Sequence, residues 1–314
     1  MSKIHEALKK AQEEESQWGA PGQPAVPLPP LPATREMTNA ARRLEKQPVT
    51  PGNARSGISG QYLRFEDLLK QCAEPVWQPD ANAIVFSQSY ATLQGAEHFR
   101  TLRTRLYQIR NGSPLKKILV TSAVGGEGKT FVATNLAQAF MCERERKVLL
   151  IDGDLRRASL HLPLGAPVAP GLAEYLRDEA SEAEIIQHGQ AGNLCFIAGG
   201  MGGGTNASEL LSNGRLQKLL DRVGPLFDWV ILDSAPCLPV ADASVLAGFA
   251  DGLLLVVRAK STPAVMVQKA RQELLTRNLI GVVLNGVDDS ATYGGYFDYA
   301  ASDSRKPIRK QLSL

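Results

Sequence analysis

The sequence predicts an α/β domain with a mostly parallel, doubly wound sheet, preceded by a long, largely disordered N-terminal extension. Three observations carry this expectation. Apolar runs at 118–120, 148–151, 229–232, 252–257 and 280–284 alternate with helix-compatible segments, the pattern of a parallel sheet covered on both faces. The run Ser122-Ala-Val-Gly-Gly-Glu-Gly-Lys-Thr130 joins the first apolar run to a helix in the manner of a phosphate-binding loop. Two later runs end in Asp152 and Asp233, and ligands of such sheets bind beyond the C-terminal ends of the strands.

Taken along the chain, residues 1–17 suit a helix, because Ile4, Ala7, Leu8 and Ala11 fall at i, i+3, i+4 and i+7. That stripe either docks on a partner or stays solvated. Residues 18–83 read as a Pro-rich, largely disordered linker, since the segment at 21–32 cannot sustain a helix or central strand. Its proline spacing also suits polyproline recognition, although a plain spacer is the simpler reading. The globular domain is expected over 84–290, with a helix from Tyr90 to Leu106, a helix near 171–177, a strand at 194–197, a flexible glycine loop at 199–204, a helix over 207–223 and another over 264–276. Residues 291–314 form a tyrosine-containing tail.

Composition narrows the function. The 314 residues are 44% apolar and 21% charged, enough for a sizeable core. Thirty-five Lys plus Arg against 32 Asp plus Glu give a formal charge of +3, which supplies no electrostatic footprint for nucleic acid. The four cysteines lack metal-ligand spacing and are expected to be reduced and mostly buried. No apolar run approaches the length of a membrane span and the first ten residues carry no export signal, so a cytoplasmic protein is expected.

A loop wrapped around a triphosphate needs inward-pointing N–H groups, which Gly125, Gly126 and Gly128 permit, while the following helix directs its positive end at the anion. Lys129 would reach the β- and γ-phosphates and Thr130 would ligate Mg²⁺. The first glycine of the strict pattern is replaced by Ala123. Asp152, Asp154 and Asp233 are expected to meet at the phosphate end, where one alone would equally serve as a cap or turn residue.

These segments resemble the cytoplasmic kinase domain of the bacterial tyrosine kinases (BY-kinases), the polysaccharide-associated tyrosine autokinases of capsule and exopolysaccharide export, over roughly residues 90–299. The loop at 122–130 resembles the family's relaxed Walker A. Asp152-Gly-Asp154-Leu-Arg156 resembles its Asp-x-Asp-x-Arg motif, 230–234 its Walker B, and Glu97-His-Phe-Arg100-Thr-Leu-Arg103 its Glu-x-x-Arg-x-x-Arg motif. Ala158 and Ala207 stand where the family commonly has proline. The related deviant-Walker ATPases of chromosome partitioning place a lysine just before the two glycines, where this chain has Val124.

The resemblance implies a P-loop NTPase fold of the deviant-Walker type and an ATP- and Mg²⁺-dependent tyrosine autokinase. It implies Mg²⁺ held by Thr130, Asp154 and Asp233, nucleotide contacts from residues 125–131 including Glu127 and Phe131, and Asp152 as the catalytic carboxylate. Asn285 resembles an adenine-contacting asparagine, with a simple turn residue as the other reading. The family's ring of copies would form through Glu97, Arg100 and Arg103, which could otherwise make a local surface ion pair. Tyr293, Tyr296 and Tyr299 would accept phosphate between subunits. Expected partners are a separate transmembrane chain-length regulator, which would recruit the chain to the inner face of the membrane, and a cognate phosphatase. The alternative is a nucleotide-dependent scaffold or partition-type ATPase with little transfer to tyrosine.

Overall fold

The computed structural model describes residues 64–86, 93–143, 145–189, 193–204 and 206–287, all within one unit, Ser56–Leu314. The expected helix at 1–17, most of the linker and the three tail tyrosines lie outside the described residues. Seven strands form one sheet: β1 Lys117–Ser122, β2 Val148–Asp152, β3 Ile186–His188, β4 Leu194–Ile197, β5 Trp229–Asp233, β6 Gly252–Arg258 and β7 Leu279–Asn285. Their order is β3-β4-β2-β5-β1-β6-β7, parallel throughout except for the β3–β4 pair. Chain progression reverses around β1, which places the loop after it at the point where such sheets bind ligands.

Strand residues alternate between two cores because successive side chains leave opposite faces. Leu149 and Ile151 join one cluster with Leu119, Leu216 and Leu246, while Val148 and Leu150 join the other with Ile118, Leu136 and Phe140. Helix Lys129–Met141 is nearly apolar all round and lies buried over the second core. Its buried Asn135 side chain accepts from the N–H of Val85 at 2.8 Å and donates to the carbonyls of Ala83 and Phe131, both at 2.9 Å. At the far end of the sheet Phe140 stacks on Trp229 with centroids 4.2 Å apart, and Tyr107 meets Trp229 edge-on at 5.4 Å.

Several segments depart from expectation. The disordered linker was expected to reach residue 83, yet residues 64–83 already pack on the domain. Phe65 and Leu68 of helix Phe65–Leu69 enter the first core, and Phe65 meets Phe227 edge-on at 5.4 Å. Trp77 Nε1 donates to Gln187 Oε1 at 3.2 Å. Five residues with two apolar anchors are too short for periodicity to register. The helix expected over 207–223 is two helices, Ala207–Ser212 and Arg215–Val223, broken at Gly214 with φ 81°. Helix Ala264–Glu273 stops short of 276. All four cysteines are free, and Cys142 is exposed rather than buried, with Cys72 half-buried.

The packing of residues 64–83 has a measurable consequence. Leu68→Ala is expected to lower unfolding stability by about 2–5 kcal/mol, the range for emptying a fully buried leucine site. Chemical denaturation measures it, and a loss below about 0.5 kcal/mol would detach this segment from the core.

Candidate active site

The end of β1 continues directly into the glycine loop, and helix Lys129–Met141 starts at Gly128, whose φ of 93° only glycine adopts without strain. A Cβ there would lie 2.1 Å from Asn285 Nδ2, so this position is closed to any side chain. Gly126 is also left-handed, with φ 81°. The loop therefore presents backbone N–H groups at the positive end of a 13-residue helix, which is a ready anion site. Ala123, where the strict pattern has glycine, is fully buried in the first core. Its methyl group faces packing rather than the loop mouth.

The strands bring the expected carboxylates to the same end. Asp152 and Asp233 are register partners on adjacent parallel strands, and both are buried. Gly153 lets the two strand ends close up: its N–H donates to the Asp233 carbonyl at 2.9 Å, and a Cβ would sit 2.7 Å from that oxygen. Thr130 Oγ1 donates to Asp233 Oδ2 at 2.6 Å, tying the loop helix to β5. Lys129 is buried nearby and partly offsets the Asp233 charge. Burial first, and then the adjacent Asp233, raise the proton affinity of Asp152. Burial likewise raises that of Asp233, against the pull of Thr130 and Lys129.

Asp152 also organises the chain that follows it. Its Oδ2 accepts from the N–H groups of Ser159 and Leu160, both at 3.0 Å, and its Oδ1 from that of Asp154 at 3.2 Å. Asp154 is half-buried at the mouth of this turn, where its Oδ1 accepts from the N–H of Arg157 at 3.1 Å. Arg156 turns away to clasp Asp242 through two bonds, Nε to Oδ2 at 2.6 Å and Nη2 to Oδ1 at 3.1 Å. Its Nη1 donates to the Gly204 carbonyl at 3.2 Å. Asp242, buried at the start of helix Asp242–Ala247, was not singled out in the sequence, where nothing local distinguishes it.

Two expected nucleotide contacts also have structural duties. The buried Glu127 carboxylate accepts from the Val124 N–H at 2.8 Å and from Thr262 Oγ1 at 2.6 Å, so its side chain braces the loop against the segment after β6. Asn285 Nδ2 donates to the Glu127 carbonyl at 2.9 Å, while Asn285 Oδ1 accepts from Gly286. A cavity of about 480 Å³ opens beside them, lined by Phe99, Leu102, Phe131, Val283 and Asn285 among others.

The charged helix Leu93–Gly112 does not present its three motif residues alike. Glu97 and Arg100 pair with each other at the surface. Arg103 points inward, where Nη1 donates to the Ala139 carbonyl at 2.6 Å and Nε lies 3.1 Å from Glu143 Oε1. Its cation thus sits at the C-terminal end of the loop helix, where the helix dipole favours it.

Residues 115–269 match a family model described as an AAA domain. The tyrosine-protein kinase YwqD of Bacillus subtilis is 34% identical over 205 residues, 64% of this chain and 86% of that protein. This chain belongs to the bacterial tyrosine-protein kinases. Membership makes it an ATP-dependent phosphotransferase. The solved kinase domain of the Escherichia coli tyrosine kinase ETK superposes with a TM-score of 0.58 at 35% identity, covering 63% of this chain and 77% of that one. The succinoglycan biosynthesis transport protein ExoP of Rhizobium meliloti is 33% identical over 212 residues, 66% of this chain but only 27% of ExoP.

The kinase's Arg156–Asp242 clasp holds three segments at once. Asp242→Ala should destabilise the protein by about 1–3 kcal/mol, the range for losing charge-assisted hydrogen bonds to a partly exposed guanidinium. Thermal or urea unfolding measures this, and a change under about 1 kcal/mol would show the clasp to be dispensable.

Proposed function

We propose that this kinase transfers the γ-phosphoryl group of ATP to tyrosines in the C-terminal tail of a neighbouring copy, within a system that synthesises or exports polysaccharide. The observation that carries the reading is the register pairing of Asp152 with Asp233 beside the glycine loop, with Thr130 bonded to Asp233. Closely spaced carboxylates out of water, facing a cradle of N–H groups, fit a metal-bound polyphosphate. Among the described residues no three His, Cys, Asp or Glu side chains are placed to hold a metal alone. Mg²⁺ characteristically combines one or two carboxylates with substrate phosphates.

In this reading Thr130, Asp154 and Asp233 would hold Mg²⁺, which would supply charge neutralisation on the phosphate oxygens. The loop N–H groups and Lys129 orient the β- and γ-phosphates. The nucleotide base enters the apolar cavity against Phe131, with Asn285 at its rim. An incoming tyrosine hydroxyl, with an ordinary pKa of about 10, attacks the γ-phosphorus while Asp152 accepts its proton. The new bond joins phenolic oxygen to phosphorus, the bond to the β-phosphate oxygen breaks, and ADP leaves.

Glu97 and Arg100 support contact between copies through their exposed charges, with Arg103 fixing the helix that carries them. The name of ExoP supports the polysaccharide context. No helix among the described residues is long and apolar enough to cross a membrane. A transmembrane chain-length regulator is proposed to recruit the kinase to the inner face of the membrane, and a cognate phosphatase to reset it.

Full-length protein incubated with Mg-ATP should acquire phosphate on Tyr293, Tyr296 or Tyr299, mapped by mass spectrometry. Lys129→Met should lose at least 100-fold of this activity, as an uncompensated transition-state charge requires. When Lys129→Met protein is mixed with an active copy lacking the three tyrosines, label should appear on the Lys129→Met tail. ADP release without any phosphotyrosine would favour the scaffold ATPase instead.

A further inference from the structure

Arg156 follows Asp154 by two residues within one turn, and a guanidinium fork so placed is a natural partner for that carboxylate. The structure does not pair them. Among the described residues Asp154 makes no ion pair, and its Oδ1 accepts from the Arg157 N–H instead. All three guanidinium nitrogens of Arg156 are committed elsewhere. Nε and Nη2 form the fork on Asp242, Nη2 also donates to Ser208 Oγ at 3.3 Å, and Nη1 reaches the Gly204 carbonyl at 3.2 Å. Ser208 Oγ in turn donates to Asp242 Oδ1.

The two carboxylates compete unequally for this cation. The Asp242 side chain is fully buried while Asp154 is half-buried, and a charge pair attracts more strongly away from water. Asp242 above all holds the Arg156 proton, and Asp154 is close enough to add to that pull. The loop at 199–204 is not the flexible connector its composition suggests, because its glycines serve close approach to this turn. A Cβ at Gly199 would lie 2.5 Å from Ala158 Cβ, and one at Gly203 would lie 2.8 Å from Leu155 Cβ. From its other side Glu174 Oε1 accepts the Met201 N–H at 2.8 Å. The Gly204 carbonyl therefore meets Arg156 from a braced backbone.

We propose that Asp242 is a positioning residue for the metal: with Ser208 and the Gly204 carbonyl it sequesters Arg156, and so keeps Asp154 available to Mg²⁺. This deepens the kinase reading and rests on it for the role of Asp154. A released guanidinium beside Asp154 would occupy the carboxylate and offset its charge, and Mg²⁺ would have to displace it. Asp242 thus sets metal affinity without touching metal or nucleotide, as partners behind metal ligands commonly do.

The test compares the full-length parent, Asp242→Asn, and a double variant that adds Arg156→Gln, with ADP as the nucleotide so that no turnover occurs. Asparagine keeps the volume but sets an NH₂ donor against one arm of the fork, which opens the clasp. Calorimetry reads ADP affinity in EDTA and then across a Mg²⁺ series. Asp242→Asn should leave the affinity in EDTA unchanged and raise the Mg²⁺ concentration for half of the gain about 10-fold. The double variant, with no guanidinium to release, should return most of the way to the parent. An unchanged Mg²⁺ requirement in Asp242→Asn overturns the proposal. A double variant no better than the single one also overturns it, because the clasp then acts through the fold or through Arg156 itself. A parent whose ADP affinity ignores Mg²⁺ overturns the metal reading of Asp154 instead, and the proposal falls with it.

Discussion

Asp152 and Asp233 stand opposite each other on adjacent parallel strands, away from water, where like charges repel far more strongly than at a surface. A fold tolerates such a pair only by surrounding it with donors and cations. Three backbone N–H groups converge on Asp152, while Thr130, the Ser234 N–H and the nearby Lys129 serve Asp233. These groups come from the helix after β1, the turn after β2 and the end of β5, so satisfying the pair fixes the relative positions of the segments that would meet the phosphates.

Around that centre the structure is held by polar braces rather than by apolar packing alone. Glu127 ties the glycine loop to Thr262 after β6, and Asn285 ties it to the end of β7. Arg156 and Asp242 join the turn after β2 to the glycine loop at 199–204 and to the helix that follows β5. The site is therefore preorganised, which is what phosphoryl transfer asks of a protein that contributes positioning and electrostatics rather than covalent chemistry.

Much of this was legible in the residues. Strands ending in Asp152 and Asp233, and a lysine and threonine closing a glycine loop, carry their chemistry in local order, so the sheet and its functional edge follow from the sequence. Asp242 and the bracing role of Glu127 were not legible, because each depends on a partner more than eighty residues away. The three-residue strand β3 and helix Phe65–Leu69 are too short to show a period. The glycines at 199–204 signal freedom by composition, yet the structure uses Gly199 and Gly203 to let neighbouring segments approach closely. Spacing alone put Glu97, Arg100 and Arg103 on one helical face. Which of them faces inward was decided by the neighbouring helix end that Arg103 caps.

The central claim is that the paired carboxylates exist for a metal-bound nucleotide. Thermal unfolding of the parent protein and of Asp233→Asn, each with and without Mg-ATP, tests it most directly. Because burial raises the proton affinity of Asp233, its ionised form at neutral pH costs stability, and a neutral amide relieves that cost. The account predicts a higher midpoint for Asp233→Asn without ligand, and a rise with Mg-ATP in the parent that the variant lacks. A lower ligand-free midpoint for the variant, together with an undiminished rise on adding Mg-ATP, would contradict it.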